Sequence, residues 1–479
     1  MNDKPPITET KNYRKPQKKN WFTALFDRYH EHKFSEWKTL TKEKEEKNCV
    51  EVRSCYCGKK EKRIAYKYSK GFTYRVIDEK SCEITGLGTI EGGEVHIPRF
   101  IGKYKVTSVN CKFDFIIRHN HITRDFIIIH KHITRVTIPD TVKNISKWAF
   151  LNCDDLKSVT LSEGIEEINA QTFSHCSKLT EINIPNSVKW MGSKAFCGCG
   201  NLKKVTLPEG LTEITDGLFE YCYELEEINI PKTVKSIWRN AFKGCRKLGE
   251  ITLPDGLIDI GGFAFESCDF KKIKLGTGLK SIGEGAFKYC RLESITIPDG
   301  VKRINDGAFE HCGNLKSVVI PDSVEILGKA VFKDTDNEFW IQNGLQSLTI
   351  GSGATNIGEE FCSGCHYLKD LKIGENVKKI ETSAFESCFT LEEVYLPDSV
   401  EIIEKHAFGF CRGLKTISIG KGMKEIEEGA FFSSGISCIE FRGKKTQWFT
   451  VKKALFWDLG LEDYTIKCTD GEIIRTKNK

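Results

Sequence analysis

A phenylalanine recurs every 23 residues through the middle of this chain, and a period of that length leaves few folds open. It stands at Phe150, Phe173, Phe196, Phe219, Phe242 and Phe265, then at Phe287, Phe309 and Phe332, and after a longer interval at Phe385, Phe408 and Phe431. A cysteine follows three residues after most of them, from Cys153 to Cys312 and again at Cys388 and Cys411. Cys365 joins the series in IGEEFCSGC, where Cys362 stands in the phenylalanine position, so eleven of the 20 cysteines fall on one ladder. A period of roughly 20–50 residues marks stacked repeats, in which each unit buries its apolar face only against its neighbours.

The unit reads LxxVTLPxxLTxIxxxAFxxCxx, as in LKKVTLPEGLTEITDGLFEYCYE over 202–224. Alternation in LxxVTL predicts a short strand with Val205 and Leu207 inward and Lys204 and Thr206 outward. Pro208 ends it, having no N–H to donate, and Gly210 is placed in a turn where positive φ is cheap. LTEI predicts a second extended piece. GLFEYC is too short for a free helix and reads as a helical turn. Stacking such units gives a right-handed solenoid of parallel β-strands with short helical turns. It has about thirteen rungs of mostly 23 residues, roughly 4.8 Å apart, and so a length on the order of 60 Å.

These motifs resemble the BspA-type leucine-rich repeat, a family found in surface proteins of gut and oral bacteria and in some protists. The strict repeats cover 134–434. FTYRVIDEKSCEITGLGTIEGGEVHIPRFIGKYKVTSV (72–109) is similar to the family's N-terminal cap, and 439–473, with Trp448, Trp457 and the CTDG turn, is similar to its C-terminal ending. The resemblance implies a leucine-rich repeat fold and a non-enzymatic role in binding proteins, with adhesion to host or matrix proteins as the family's usual use. The expected organisation is a basic leader with a small Cys/His segment over 1–66, a cap and degenerate first repeat over 67–133, the repeats over 134–434, and a cap and tail over 435–479.

Charge narrows the partner class. The net charge is +6, but residues 1–66 hold 17 Lys+Arg against 10 Asp+Glu, leaving 55 against 56 for the rest. A neutral body lacks the basic stripe that a nucleic-acid-binding array needs, so no nucleic-acid partner is expected. The basic leader reads as a solvated segment. No run of 18 apolar residues exists, so no transmembrane helix is expected, and WFTALF, followed at once by Asp27 and Arg28, is too short for a secretory signal.

Candidate sites follow from departures from the repeat. His32, Cys49, Cys55 and Cys57 form a candidate zinc set, although the CYC pair departs from the usual C-x₂₋₄-C spacing. HxHITR occurs twice, so His119, His121, His130 and His132 are a second, weaker metal candidate beside the reading of DFIIIH as a buried strand of a degenerate first repeat. The ladder cysteines read as buried reduced thiols. Stacked parallel Cα–Cβ vectors suit neither a disulfide nor a metal, and Thr335 and Ser434 take the same slot. His175, Tyr221, Tyr289, His311 and Phe410 share the slot just before the cysteine, as ordinary turn variation or as a binding edge. GLGTIEGG is followed by EVHIP, a strand, so it reads as a turn and not a phosphate loop.

The outward strand positions form a stripe of small polar residues, Thr160, Asn183, Thr206, Asn229 and Thr252. It becomes more varied after Thr296. Lys372 and Tyr395 in that varied end are candidate partner contacts, with Phe339 and Trp340 in the insertion 334–344 that breaks the repeat beside it. The reading is therefore a monomeric, non-enzymatic module that binds a protein partner along its exposed strand face, with no cofactor beyond the candidate zinc. An intracellular scaffold with a zinc-binding N-terminal segment is the alternative.

Overall fold

The computed structural model describes residues 71–88, 90, 92–110, 132–334 and 344–476, together with the backbone of five further short strands, Lys38–Thr39, Cys49–Ser54, Lys60–Ala65, Phe115–His119 and Phe126–His130. The chain winds as a parallel β-solenoid of about 15 turns with almost no helix. Most repeats place one short strand on a first ladder and another on a second, while the repeat of Thr296 makes only the bridge Lys272–Ser294 on the first. Lys204–Thr206 pairs in parallel with Glu181–Asn183 before it and Glu227–Ile228 after it. Eight residues on, Glu213–Ile214 pairs with Ser236–Ile237. The alternation of LxxVTL is what makes the first strand. Val205 and Leu207 are buried while Lys204 and Thr206 are exposed. Pro208 then accepts a turn hydrogen bond from Leu211 N–H at 3.1 Å and turns the chain toward the second ladder.

The phenylalanines form the spine. From Phe150 to Phe332 adjacent rings lie 5.2–5.7 Å apart and within 15° of parallel. Backbone pairing sets the distance between rungs, so identical side chains at identical positions must meet face to face, slightly offset. Full burial of each ring is worth roughly 1.5–3 kcal/mol. The spine turns at Phe361. There Phe361 occupies the slot usually held by alanine and Cys362 the slot of phenylalanine, so the ring enters from one position earlier and meets Phe332 and Phe385 edge-on, at 84° and 72°. The exchange of large and small residues keeps the core volume nearly constant, and both side chains remain fully buried.

The segment expected to be a helical turn is tighter than that. Most described arches have two left-handed residues, for example Gly217 at φ 57° and Tyr221 at 60°, and a right-handed helix cannot pass through either. Successive turns result. Their outward N–H groups donate to the next rung, as Phe219 N–H does to Ala241 O at 2.8 Å and Tyr221 N–H to Lys243 O at 2.7 Å. Gly210, expected at positive φ, does not adopt it. The demand for left-handed backbone falls in the arch. Among the described residues the one α-helix is Lys445–Thr450.

Both flanks continue the winding, which is why the turns outnumber the strict repeats. Ser81–Gly86 and Tyr104–Val109 begin the second ladder, and Gly93–His96 begins the first by pairing directly with Ile133–Ile138. The segment expected to be a degenerate first repeat is instead a separate antiparallel pair, Phe115–His119 with Phe126–His130, inserted between two rungs. At the other end Tyr464–Cys468 extends the first ladder, and Gly471–Arg475 folds back on it antiparallel. Trp448 and Trp457 close the core there, Trp457 lying edge-on to Phe431 at 6.0 Å. Ion pairs add links at the rung spacing. Glu166 is held between Lys143 and Lys189, 23 residues to either side, at 2.8 and 3.3 Å. Exposed pairs of this kind contribute about 0–1 kcal/mol each.

Candidate partner-binding face

Strand alternation leaves every second residue of the first ladder pointing away from the core, and successive rungs align these residues in one column. Thr160, Asn183, Thr206, Asn229 and Thr252 are exposed along it, followed by Lys274, Thr296 and Val319. Toward the C-terminal end the column carries Lys372, on Asp370–Lys372, and Tyr395, on Glu393–Tyr395. Both are exposed, Tyr395 at 51% of its surface. Lys372 forms no ion pair among the described residues.

Tyr395 is fixed in place by a residue two rungs away. The guanidinium carbon of Arg442 lies 4.2 Å from its ring centroid. Arg442 in turn donates to Ser418 Oγ at 2.8 Å, to Leu396 O at 2.5 Å and to Asp398 Oδ1 at 3.0 Å. A planar cation held by three hydrogen bonds has little freedom, so the ring it covers is pre-positioned. The column thus presents an ordered aromatic surface beside an exposed ammonium. Arg442 escaped the sequence reading because it stands past the strict repeats, and only the stacking of rungs carries it back over Ser418 to Tyr395.

The other sequence candidates fall in different places. Phe339 and Trp340 lie outside the described residues, as do His32, Cys55 and Cys57. Cys49 opens the strand Cys49–Ser54, whose far end leads into 55–59. His119 and His130 sit at opposite ends of their strand pair, opposite Phe126 and Phe115, so the two do not come together. His132 Nδ1 instead contacts Asp155 Oδ2 at 2.6 Å, and that carboxylate, also bonded by Lys178, is held down to about 2. Among the described residues no group of three His, Cys, Asp or Glu could hold a metal ion.

The slot before the cysteine is a backbone requirement. His175, Tyr221, Tyr289, His311 and Phe410 all have φ of 57–60° there, and glycine fills the same slot at Gly198, Gly244 and Gly364. The ladder cysteines are buried and free. Each thiol from Cys176 to Cys312 donates to a main-chain carbonyl one rung back, as Cys245 does to Phe219 O at 3.2 Å. Desolvation pushes these thiols up, Cys312 to about 12, so they stay protonated. The glycine-rich GLGTIEGG leads into Gly93–His96, a strand, as expected. No helix among the described residues is long and apolar enough to cross a membrane.

Comparison with known proteins agrees with this architecture. A leucine-rich repeat protein from Bacteroides ovatus has a similar solved structure, with a TM-score of 0.60 at 24% identity over 84% of this chain and 100% of that one. A leucine rich cell surface protein from Faecalibacterium prausnitzii matches at 26% identity over 81% of this chain and 97% of its own, with a TM-score of 0.44. The pneumococcal vaccine antigen PcpA matches at 18% identity over 80% and 88%, with a TM-score of 0.40. No curated protein matches the sequence. The BspA type leucine rich repeat region matches residues 125–249, 235–342 and 335–459, which together run through more than two thirds of the 479 residues. The chain belongs to the BspA-type leucine-rich repeat family.

Proposed function

We propose that this protein is a non-enzymatic interaction module that holds a partner protein against the outward column of its first ladder, with Lys372 and Tyr395 in the contact. Its family and fold are typical of protein-interaction scaffolds. The observation that carries the proposal is the fixed position of Tyr395 under Arg442. An exposed, immobilised aromatic side chain loses little entropy when a partner covers it, and such residues dominate protein interfaces.

A photo-crosslinking amino acid placed at Lys372 or Tyr395, in producing cells incubated with host cells and matrix protein, tests this. The same group at Asp259 on the second ladder is the control. Adducts with a protein from the first two positions and none from the third are expected. Equal labelling at all three, or none at 372 and 395, overturns the reading. The partner class we favour is a host or matrix protein, reached at the cell surface. Protease shaving of intact cells tests that part separately: digestion of the chain is expected, and protection would point to an internal partner.

A further inference from the structure

Strand pairing in the first ladder lapses at several rung boundaries, and one lapse opens a cleft. Pairing runs from Glu181–Asn183 through Lys204–Thr206 to Glu227–Ile228, then resumes between Ile251–Thr252 and Ile273–Lys274, with no strand pairing from Glu227–Ile228 to Ile251–Thr252. The other sides of the same two rungs stay closed. Ser236–Ile237 pairs with Asp259–Ile260, and Phe242 N–H donates to Ala264 O at 2.8 Å. The open groove that runs from Lys204–Thr206 across Glu226–Asn229 to Glu250 and Ile251 has a volume of about 350 Å³.

Local residues account for the opening. Asn229 turns its side chain back onto the preceding rung, accepting from Leu207 N–H at 2.7 Å and donating to Leu207 O at 3.2 Å. It thereby takes over contacts that a regular strand makes with its backbone. Ile228 and Ile230 are left half-buried, where Val205 and Leu207 at the same positions are 2% and 1% exposed. Gly249 puts no side chain over the gap, and its N–H donates to Glu226 O at 3.4 Å, so the rungs stay bridged just before the strands part. The rim is acidic. Glu227 is neutralised by Lys204 at 2.7 Å, but Glu226 and Glu250 form no ion pair among the described residues, and Lys247 is engaged by Glu224 at 2.6 Å.

We infer that this cleft takes an extended segment of a partner protein in which apolar and basic residues alternate, an inference that rests on the strand-face reading above. An apolar side chain enters between Ile228 and Ile251. Lysine or arginine on either side of it meets Glu226 and Glu250, and the segment's main chain meets backbone groups that lack strand partners. This is edge pairing combined with side-chain pockets, with the acidic rim selecting for positive charge.

The test uses the full chain and a fluorescein-labelled heptapeptide of alternating valine and lysine, with a valine–glutamate heptapeptide as control, read by fluorescence anisotropy. Wild type is expected to bind the lysine peptide, with affinity falling as salt rises, and not the glutamate peptide. The exposed double substitution Glu226→Lys with Glu250→Lys should weaken lysine-peptide binding roughly tenfold or more. Ile228→Ser should weaken it without changing the salt dependence. Absence of lysine-peptide binding by wild type overturns the cleft. So does binding that survives the double substitution, and that second result leaves the strand-face reading standing, because the peptide then sits elsewhere on the column.

Discussion

The Cys245 thiol donates to the carbonyl oxygen of Phe219, one rung back, at 3.2 Å. Seen in one repeat, the cysteine is a small apolar filler. Seen across two, it satisfies a main-chain acceptor at the arch, and the same contact recurs at ten described positions from Cys176 to Cys411. Ser434 shows why the residue is cysteine. Its hydroxyl occupies the same slot, is buried, and finds no partner among the described residues, because the shorter C–O bond holds the oxygen back from the carbonyl. Cys245→Ser should therefore cost about 1–2 kcal/mol, and Ser434→Cys should stabilise by about 1 kcal/mol. Urea unfolding of each variant checks both signs.

The same burial sets a pH dependence. The folded thiols from Cys176 to Cys312 are raised above the ordinary value, Cys197 to about 11 and Cys312 to about 12, chiefly by desolvation. Below about pH 8.5 the folded and unfolded chains both hold these protons. Above it only the unfolded chain releases them, so stability falls as pH rises, by up to about 1.4 kcal/mol per pH unit for each thiol. The urea midpoint should be flat from about pH 6 to 8 and drop steeply above about pH 9. A midpoint unchanged at pH 10 would contradict the buried, protonated ladder.

Phe242 stacks between Phe219 at 5.6 Å and Phe265 at 5.2 Å, so its loss is felt on both sides. Phe242→Ala should cost about 3–5 kcal/mol. Phe242→Asp, which strands a charge in the core, should unfold neighbouring rungs. Hydrogen exchange would show the effect fading with distance along the solenoid, since each rung touches only its neighbours. An unchanged thermal transition for Phe242→Asp is the result that the stacked-ring core cannot accommodate.

Two glycines separate conformational demand from mere presence in a turn. Gly244 has φ 76°, and a Cβ there would lie 2.9 Å from the Tyr221 ring. Gly244→Ala should cost at least about 1–2 kcal/mol. Gly210 has ordinary φ and open space, so Gly210→Ala should be neutral or stabilising by about 0.4–1 kcal/mol. Thermal melts of the two single variants give the comparison directly.

Asn229 makes a fifth case. Its side chain holds Leu207 N–H, while the first ladder loses strand pairing one boundary later. Amides of Ile230 and Ile251 should exchange faster than that of Leu207. Asn229→Ala should cost about 1–2 kcal/mol by leaving the Leu207 main chain without that partner. Equal protection at all three amides would mean that the ladder is closed in solution.

The amino-acid sequence by itself determined the repeat, the inward and outward faces of the LxxVTL strand, the phenylalanine spine and the burial of the ladder cysteines. Each of these depends on side-chain period and size within one unit, and a unit repeated a dozen times states its pattern plainly. It also placed Lys372 and Tyr395 on the outward column, by the same alternation. What it could not state is anything made between rungs. The thiol-to-carbonyl bond spans 25 or 26 residues in most rungs, the Arg442 clamp on Tyr395 spans 47, and the turn of the spine at Phe361 depends on rings 29 and 24 residues away. The arch misled for a related reason. Six residues cannot reveal that two of them must be left-handed, because that demand comes from the hydrogen bonds each arch donates to the next. Stacking brings distant residues to van der Waals distance, and only the tertiary structure decides which of them meet.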